Sequence, residues 1–170
     1  MKNIIVLPLL FFGLFACNNE PKERTKENAD QENPELETIQ EQTAAEKKAA
    51  LKEKGYEIFD YIDEKNQDTI LMQQYYIAFL KRGPIRNQNE EEAARLQEAH
   101  QAHLGKMYEL GYADISGPFG DDGDIRGITI YNVPTQKMAD SLANADPMVK
   151  AGRLQIEIHP WWAAKGYPLR

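Results

Sequence analysis

The apolar and polar positions change rhythm several times along the chain. Ile4 through Phe15 is almost wholly apolar. As a helix it would reach only about 18 Å, against the ~30 Å hydrocarbon core of a bilayer. Behind the short basic start Met1-Lys2-Asn3, that is the length of a signal-peptide core, not of a stable transmembrane helix. Residues 18–35 carry no aromatic residue and one aliphatic one, Ala29. So little apolar surface cannot offset the entropy of ordering, and the segment is expected to stay disordered as a tether. From Leu36 to Lys54 the composition turns to Ala, Glu, Lys and Gln, which favour helix. Lys47, Lys48, Lys52 and Lys54 crowd its C-terminal half, where they complement the helix dipole, and Gly55 is a terminator. Leu36, Ile39 and Leu51 are too far apart for a buried face, which predicts a solvated stalk helix.

From Gly55 the pattern becomes that of a folded domain. Tyr56, Ile58, Phe59, Tyr61 and Ile62 form a strand-like run, and Asn66-Gln67-Asp68 a polar turn. Ile70-Leu71-Met72 leads into a strong strand over Gln74–Leu80, ended by Lys81-Arg82-Gly83-Pro84. Asn87 or Asn89 can cap a helix from Glu90 to Leu110, with acids in its first turn and Gly111 at its end. Strands follow at Tyr112–Ser116 and Gly127–Val133, joined by the turn-rich Gly117–Asp124. A helix over Thr135–Asn144 and an alternating strand, Leu154–Ile158, complete the domain. The order strand–helix–strand–strand–helix–strand is the split βαβ of an α+β, ferredoxin-like βαββαβ sandwich. Two helices cover one face of such a sheet. The other face needs a cover, and the expectation is a homodimer through it.

Composition changes this picture at three points. The chain of 170 residues has 20 Lys+Arg against 27 Asp+Glu, a net charge of −7, so it lacks the basic face that nucleic acid requires. A mean hydropathy of −0.63 makes the bulk of the chain water-facing. The single cysteine excludes an intrachain disulfide framework and a zinc site of several thiolates. That cysteine, Cys17, follows Leu14-Phe15-Ala16 and precedes the polar run Asn18-Asn19-Glu20-Pro21. The arrangement resembles the lipobox of bacterial lipoproteins, in which the thiol receives a diacylglycerol after the signal is removed. It implies a membrane-anchored protein of the cell envelope, since acyl chains at ~0.8 kcal/mol per buried CH₂ hold firmly. The organisation is then signal peptide 1–16, anchor, tether and stalk 17–54, extension 55–73, core domain 74–166 and tail 167–170.

Candidate chemistry is sparse. The helix stripe Ala93, Leu96, His100, His103, Met107, Leu110 follows the spacing of a face turned toward the sheet, with imidazoles where a core helix would place leucines. Buried imidazoles cost free energy unless their nitrogens find partners. The spacing alone leaves three readings open: satisfied core histidines, two ligands of a metal, or a general acid/base. No His-Glu-x-x-His motif is present, and no metal or cofactor is expected. Asp121-Asp122-Gly123-Asp124 lacks the spacing and bidentate Glu of a calcium loop and reads as a solvated turn. Tyr75, Tyr76, Trp161 and Trp162, without a basic stripe, read as core and dimer-face packing. Nucleophile elbows, phosphate-binding glycine loops and dinucleotide fingerprints are absent from the sequence.

Several separated segments resemble one family. They are Ala99-His100 with Gly111 at a fixed distance, Ser116-Gly117-Pro118-Phe119, Asp121 through Gly127, Ala145-Asp146-Pro147 onward to Leu154, and Glu157-Ile158-His159-Pro160-Trp161. In order and spacing, from about Gln74 to Gly166, they are similar to the YCII-related domain. The resemblance implies a dimeric α+β barrel in which two sheets pack face to face, and a pocket beside a His–Asp pair. The matching positions are His100, eleven residues before the glycine, and Asp146 of the Asp-Pro motif; the role does not carry to His103. One relative of the family is linked to dehydrochlorination of a chlorinated hydroxyhydroquinone. Asp146 accepting from one imidazole nitrogen would fix the tautomer and free the other nitrogen to move a proton on a small molecule. Two functions remain open on this reading: a lyase- or isomerase-like enzyme using His100 and Asp146, or a non-catalytic ligand-binding or structural envelope lipoprotein.

Overall fold

The computed structural model describes residues 42–170. The signal peptide, Cys17, the tether and the start of the stalk helix lie outside the described residues. Among the described residues, no helix is long and apolar enough to cross a membrane. Helix α1 (Ala44–Glu53) begins at Thr43, in a capping box: the Thr43 hydroxyl accepts from the Glu46 N–H and the Glu46 carboxylate accepts from the Thr43 N–H. It buries no residue, as its thin apolar stripe predicts. An ion pair from Lys48 to Asp60 ties it to strand β1 (Ile58–Ile62).

The long strand β2 (Thr69–Arg82) organises the sheet. Along one edge it pairs with β5 (Leu154–Ala164) from Met72 to Arg82. Its other edge is shared end to end, by β1 over Thr69–Gln73 and by β4 (Ile125–Tyr131) over Tyr76–Lys81. Strand β3 (Ala113–Pro118) closes the far side of β4, and every pairing is antiparallel. Without β1, the order β5-β2-β4-β3 is the ferredoxin-like arrangement expected from the element order. The strand predicted from Gln74 begins five residues earlier, because Thr69–Gln73 finds a partner in β1; the extension and the core domain therefore share one strand. The last strand likewise runs six residues past Ile158, through both tryptophans.

Helices α2 (Glu90–Glu109) and α3 (Gln136–Asn144) cover one face of the sheet. Asn89 caps α2, its side-chain oxygen accepting from the Glu92 N–H, and Thr135 caps α3 through Met138. Beneath them Tyr76, Ala78, Met107, Ala113, Tyr131, Val133, Ala139 and Ala143 form one buried cluster, with Ile156 and Ile158 against it. Fully burying a Val or Met side chain stabilises the fold by about 1.5–3 kcal/mol. Leu110, predicted on the buried stripe, is 52% exposed because it is the C-cap, where the backbone already turns away toward Gly111. The one-turn helix α4 (Pro147–Lys150) was not apparent from periodicity, which needs more than four residues to register.

The opposite face carries the alternate positions. Tyr75, Ile77 and Phe79 of β2 lie in register with Trp161, His159 and Glu157 of β5, and Ile77 pairs with Ile130 of β4. A groove of about 720 Å³ lined by Ile77, Phe79, Ile125 and Trp161 runs along it, and Trp161 is 41% exposed. At one end Glu157 bridges Lys81 at 3.0 Å and His159 at 2.8 Å. Trp162 points the other way and packs on Phe59 with ring centroids 4.9 Å apart, beyond the reach of the helices. Of the four aromatics read as packing residues, Tyr76 is in the core, Tyr75 and Trp161 are on the open face, and Trp162 is with the extension.

Candidate functional site

The helix α2 and the one-turn helix α4 together build the polar centre of the covered face. Asp146 is the N-cap of α4: its Oδ1 accepts from the Met148 N–H at 2.8 Å, with Pro147 at the first helical position. Its second oxygen, Oδ2, lies 2.6 Å from Nδ1 of His100, which stands midway along α2. Both side chains are buried, His100 at 9% and Asp146 at 3% exposure. A buried carboxylate that accepts from a backbone N–H and from an imidazole N–H is satisfied, which is the condition for keeping it inside the fold. A carboxylate acceptor at this distance calls for a proton on Nδ1, so that in the neutral imidazole Nε2 is the bare nitrogen.

His100 Nε2 is the free end of this pair. It makes no hydrogen bond among the described residues, and it is not among their buried polar atoms left without a partner, so it keeps access to space. That space is a cavity of about 280 Å³ between α2 and the ends of β3, β4 and β5, with Gln97, Gln101 and Arg126 among its polar lining and Leu80, Ile128 and Leu154 among its apolar lining. Larger hollows, of about 720 and 630 Å³, lie on the open face of the sheet, but neither is lined by His100 or Asp146. The site is assigned to the smaller cavity because the His100–Asp146 pair beside it is buried, whereas the Lys81–Glu157–His159 group on the larger groove is largely exposed.

Two further groups surround the carboxylate. Burial pulls His103 below the usual imidazole range; the Asp146 charge and the Leu142 carbonyl oppose this and do not win. Its Nε2 is buried with no partner, so His103 is a neutral, half-buried side chain and offers no nitrogen to the cavity. Burial pushes the Tyr131 phenol far up, and the Asp146 charge adds to it, so it stays protonated. The structure thus brings His100 and Asp146 into contact, while His103, close enough to feel both charges, makes no hydrogen bond to either. Among the described residues, no three His, Cys, Asp or Glu side chains are grouped to hold a metal ion. Cys17 lies outside the described residues.

A family model for the YCII-related domain matches residues 75–162. The chain belongs to the YCII-related family. Its YCII-related domain thus includes every residue of the site described above, and the α+β architecture is the one expected of it. A solved structure of a 5-chloro-2-hydroxyhydroquinone dehydrochlorinase from Burkholderia phenoliruptrix AC1100, in complex with 2,5-dihydroxybenzoquinone, is similar at 21% identity and a TM-score of 0.39. The match covers 51% of this chain and 92% of that one. Among curated proteins no sequence matches significantly. Sequence reasoning missed Gln97, Gln101 and Arg126 of the YCII-related domain. The first two were within reach, because residues 97, 100, 101 and 104 share one helical face at spacings of three and four.

Proposed function

We propose that the YCII-related domain is a small-molecule enzyme of the lyase or isomerase type. In it His100 Nε2 takes and returns a proton on a bound substrate, and Asp146 holds the imidazole in the tautomer that can do so. The observation that carries this is the 2.6 Å contact between His100 Nδ1 and Asp146 Oδ2, in a histidine that lines a partly enclosed cavity of about 280 Å³. Removing a proton from carbon and delivering it elsewhere, or expelling a leaving group after its removal, needs a base near neutrality in a site that limits water. We further place the mature protein in the cell envelope, held to a membrane by lipid on Cys17, and acting as a homodimer through the open sheet face. The lipobox-like Leu14-Phe15-Ala16-Cys17 supports the first, and the apolar groove across Ile77, Phe79 and Trp161 supports the second.

The test is proton exchange. The protein is incubated in deuterium oxide with a panel of small ketones, hydroxy acids and hydroxylated aromatics, and loss of carbon-bound protons is followed by NMR. Exchange above the buffer rate is expected for at least one compound, falling by about 10²-fold or more in His100→Ala. Exchange in no compound, or at the same rate in His100→Ala, would favour a ligand-binding module over an enzyme.

A further inference from the structure

The end of the sheet next to His100 gathers positive charge in a chain that is negative overall. Arg82 closes β2 and lies in register with Leu154 at the start of β5. The segment after β2 returns against the turn before β5: the Gly83 N–H donates to the Arg153 carbonyl and the Ile85 N–H to the Gly152 carbonyl, both at 3.0 Å. Gly83 permits this closeness, because a Cβ there would stand 2.2 Å from the Gly152 oxygen. Arg86 and Arg153 are thereby brought side by side, and Arg86 Nη1 donates to the Arg153 carbonyl at 3.2 Å. Arg126, from β4, lines the His100 cavity and completes a group of four.

Three of these guanidiniums, those of Arg82, Arg86 and Arg153, are held by neutral acceptors. Arg153 donates to the Gln88 side chain at 3.0 Å and Arg82 to the Asp122 carbonyl at 3.5 Å. Arg126 donates to the carbonyls of Gly123 and Asp121, and reaches the fully exposed Asp122 carboxylate only at 3.5 Å. Among the described residues, Arg82, Arg86 and Arg153 form no ion pair, while Asp121 and Asp124 stand on the neighbouring turn. Arg86 is exposed, but partial desolvation opposes its charge, and so, in order, do Arg153, Arg82 and Arg126. Assembling four like charges costs free energy, and among the described residues only the fully exposed Asp122 carboxylate, paired with Arg126, returns part of it. Planar guanidiniums with free N–H groups match the oxygens of a carboxylate or phosphate, and such bonds are about twice as strong as neutral ones.

We propose that Arg82, Arg86, Arg126 and Arg153 form an anion-recognition cluster at the Arg126 end of the His100 cavity, so that the substrate is a small organic anion. Its carboxylate or phosphate docks on the guanidiniums while its reacting part lies at His100 Nε2. The assignment of the reacting part rests on the acid/base reading above; the anion cluster does not. The full-length protein is titrated by calorimetry with inorganic phosphate and, separately, with malonate, at constant ionic strength set with chloride. Saturable binding of at least one probe is expected. It should weaken about tenfold or more in Arg86→Gln, at an exposed position, and in Arg153→Gln, at a half-buried one, and hold in Lys106→Gln and in His100→Ala. Binding of malonate alone assigns a carboxylate substrate, and binding of phosphate alone a phosphorylated one. Absence of saturable binding by both probes, or binding unchanged in both arginine variants, overturns the cluster. Loss of binding in His100→Ala with the arginine variants unaffected would move the anion to the imidazole and overturn it as well. Binding that persists in a protein with no exchange activity removes the acid/base reading and leaves the cluster standing.

Discussion

Replacing Asp146 by Asn should invert the tautomer of His100. In the native site Oδ1 of Asp146 accepts from the Met148 N–H and Oδ2 accepts from His100 Nδ1–H at 2.6 Å. Asparagine has one acceptor and one donor in place of two acceptors. If its oxygen stays on Met148, its NH₂ faces Nδ1 and can be satisfied only when that nitrogen is unprotonated. Turning the amide over gives no escape, because the NH₂ would then face the Met148 N–H. Keeping the proton on Nδ1 therefore forfeits a charge-assisted bond of about 1.5–3 kcal/mol and leaves a buried donor opposed to another donor, a further cost of about 1–3 kcal/mol. A swing of about 2 kcal/mol or more exceeds a tenfold population change, so the proton should move to Nε2 almost completely. Long-range ¹H–¹⁵N correlation of the imidazole at about pH 8, above its ordinary titration range, reads the result directly. The native protein should show a protonated Nδ1 and a bare Nε2, and Asp146→Asn the reverse, with proton exchange lost. The same tautomer in both proteins, or Nε2–H in the native one, would refute the reasoning. Asp146→Ala removes the helix cap as well, and should cost about 2–4 kcal/mol in urea unfolding.

Four other outcomes follow from the same geometry. His103 has its folded pKa lowered by burial, so on acidification the unfolded chain takes up a proton before the folded one; stability should fall below about pH 6.5, and urea midpoints of His103→Leu should lose that part of the slope. Gly83→Ala drives a Cβ into the backbone of Gly152 and Arg153, with an expected loss of about 1–3 kcal/mol in denaturant titration; an unchanged midpoint would mean that this turn yields freely. Light scattering of the native protein should give a dimer mass, and Ile77→Asp, at the centre of the open face, a folded monomer; monomer mass in both removes the face-to-face assembly. Cys17→Ala should shift the protein from the membrane to the soluble fraction on cell fractionation, and continued membrane association would exclude the lipid anchor.

The parts of the fold that were legible in the sequence are those written in long periods. The 20-residue α2 announced itself through its Asn89 cap, acidic first turn and Gly111 stop, and β4 through its alternating isoleucines. The extents of β2 and β5 were not legible, since whether Thr69–Gln73 or His159–Ala164 continues a strand depends on what lies beside it. Local propensity carries no information about that neighbour. The same holds for the site. His100 stood out as an imidazole on an apolar stripe, but its partner is 46 residues away, and Asp146-Pro147 by itself is an ordinary turn. Spacing could not choose between His100 and His103; the fold chooses, by bringing a carboxylate oxygen to His100 and leaving the buried nitrogen of His103 bare. The arginines of the proposed cluster come from three separate stretches of chain, at 82–86, 126 and 153, and no linear pattern foretells their meeting.

Strand β5 is eleven residues long and lies at the margin of the sheet, paired on one side only. A margin of that length is a template on which foreign strands can add, since its outward N–H and C=O groups lack mates. Pro160 sits near its middle, opposite Tyr76. Proline is tolerated on such a strand because its ring can turn away from the ladder, and a strand approaching from outside then meets a ring where it needs a donor. Outward addition to β5 is interrupted at that point. Along β5, though not along the β3 margin, the sheet is in this sense guarded against joining edge to edge.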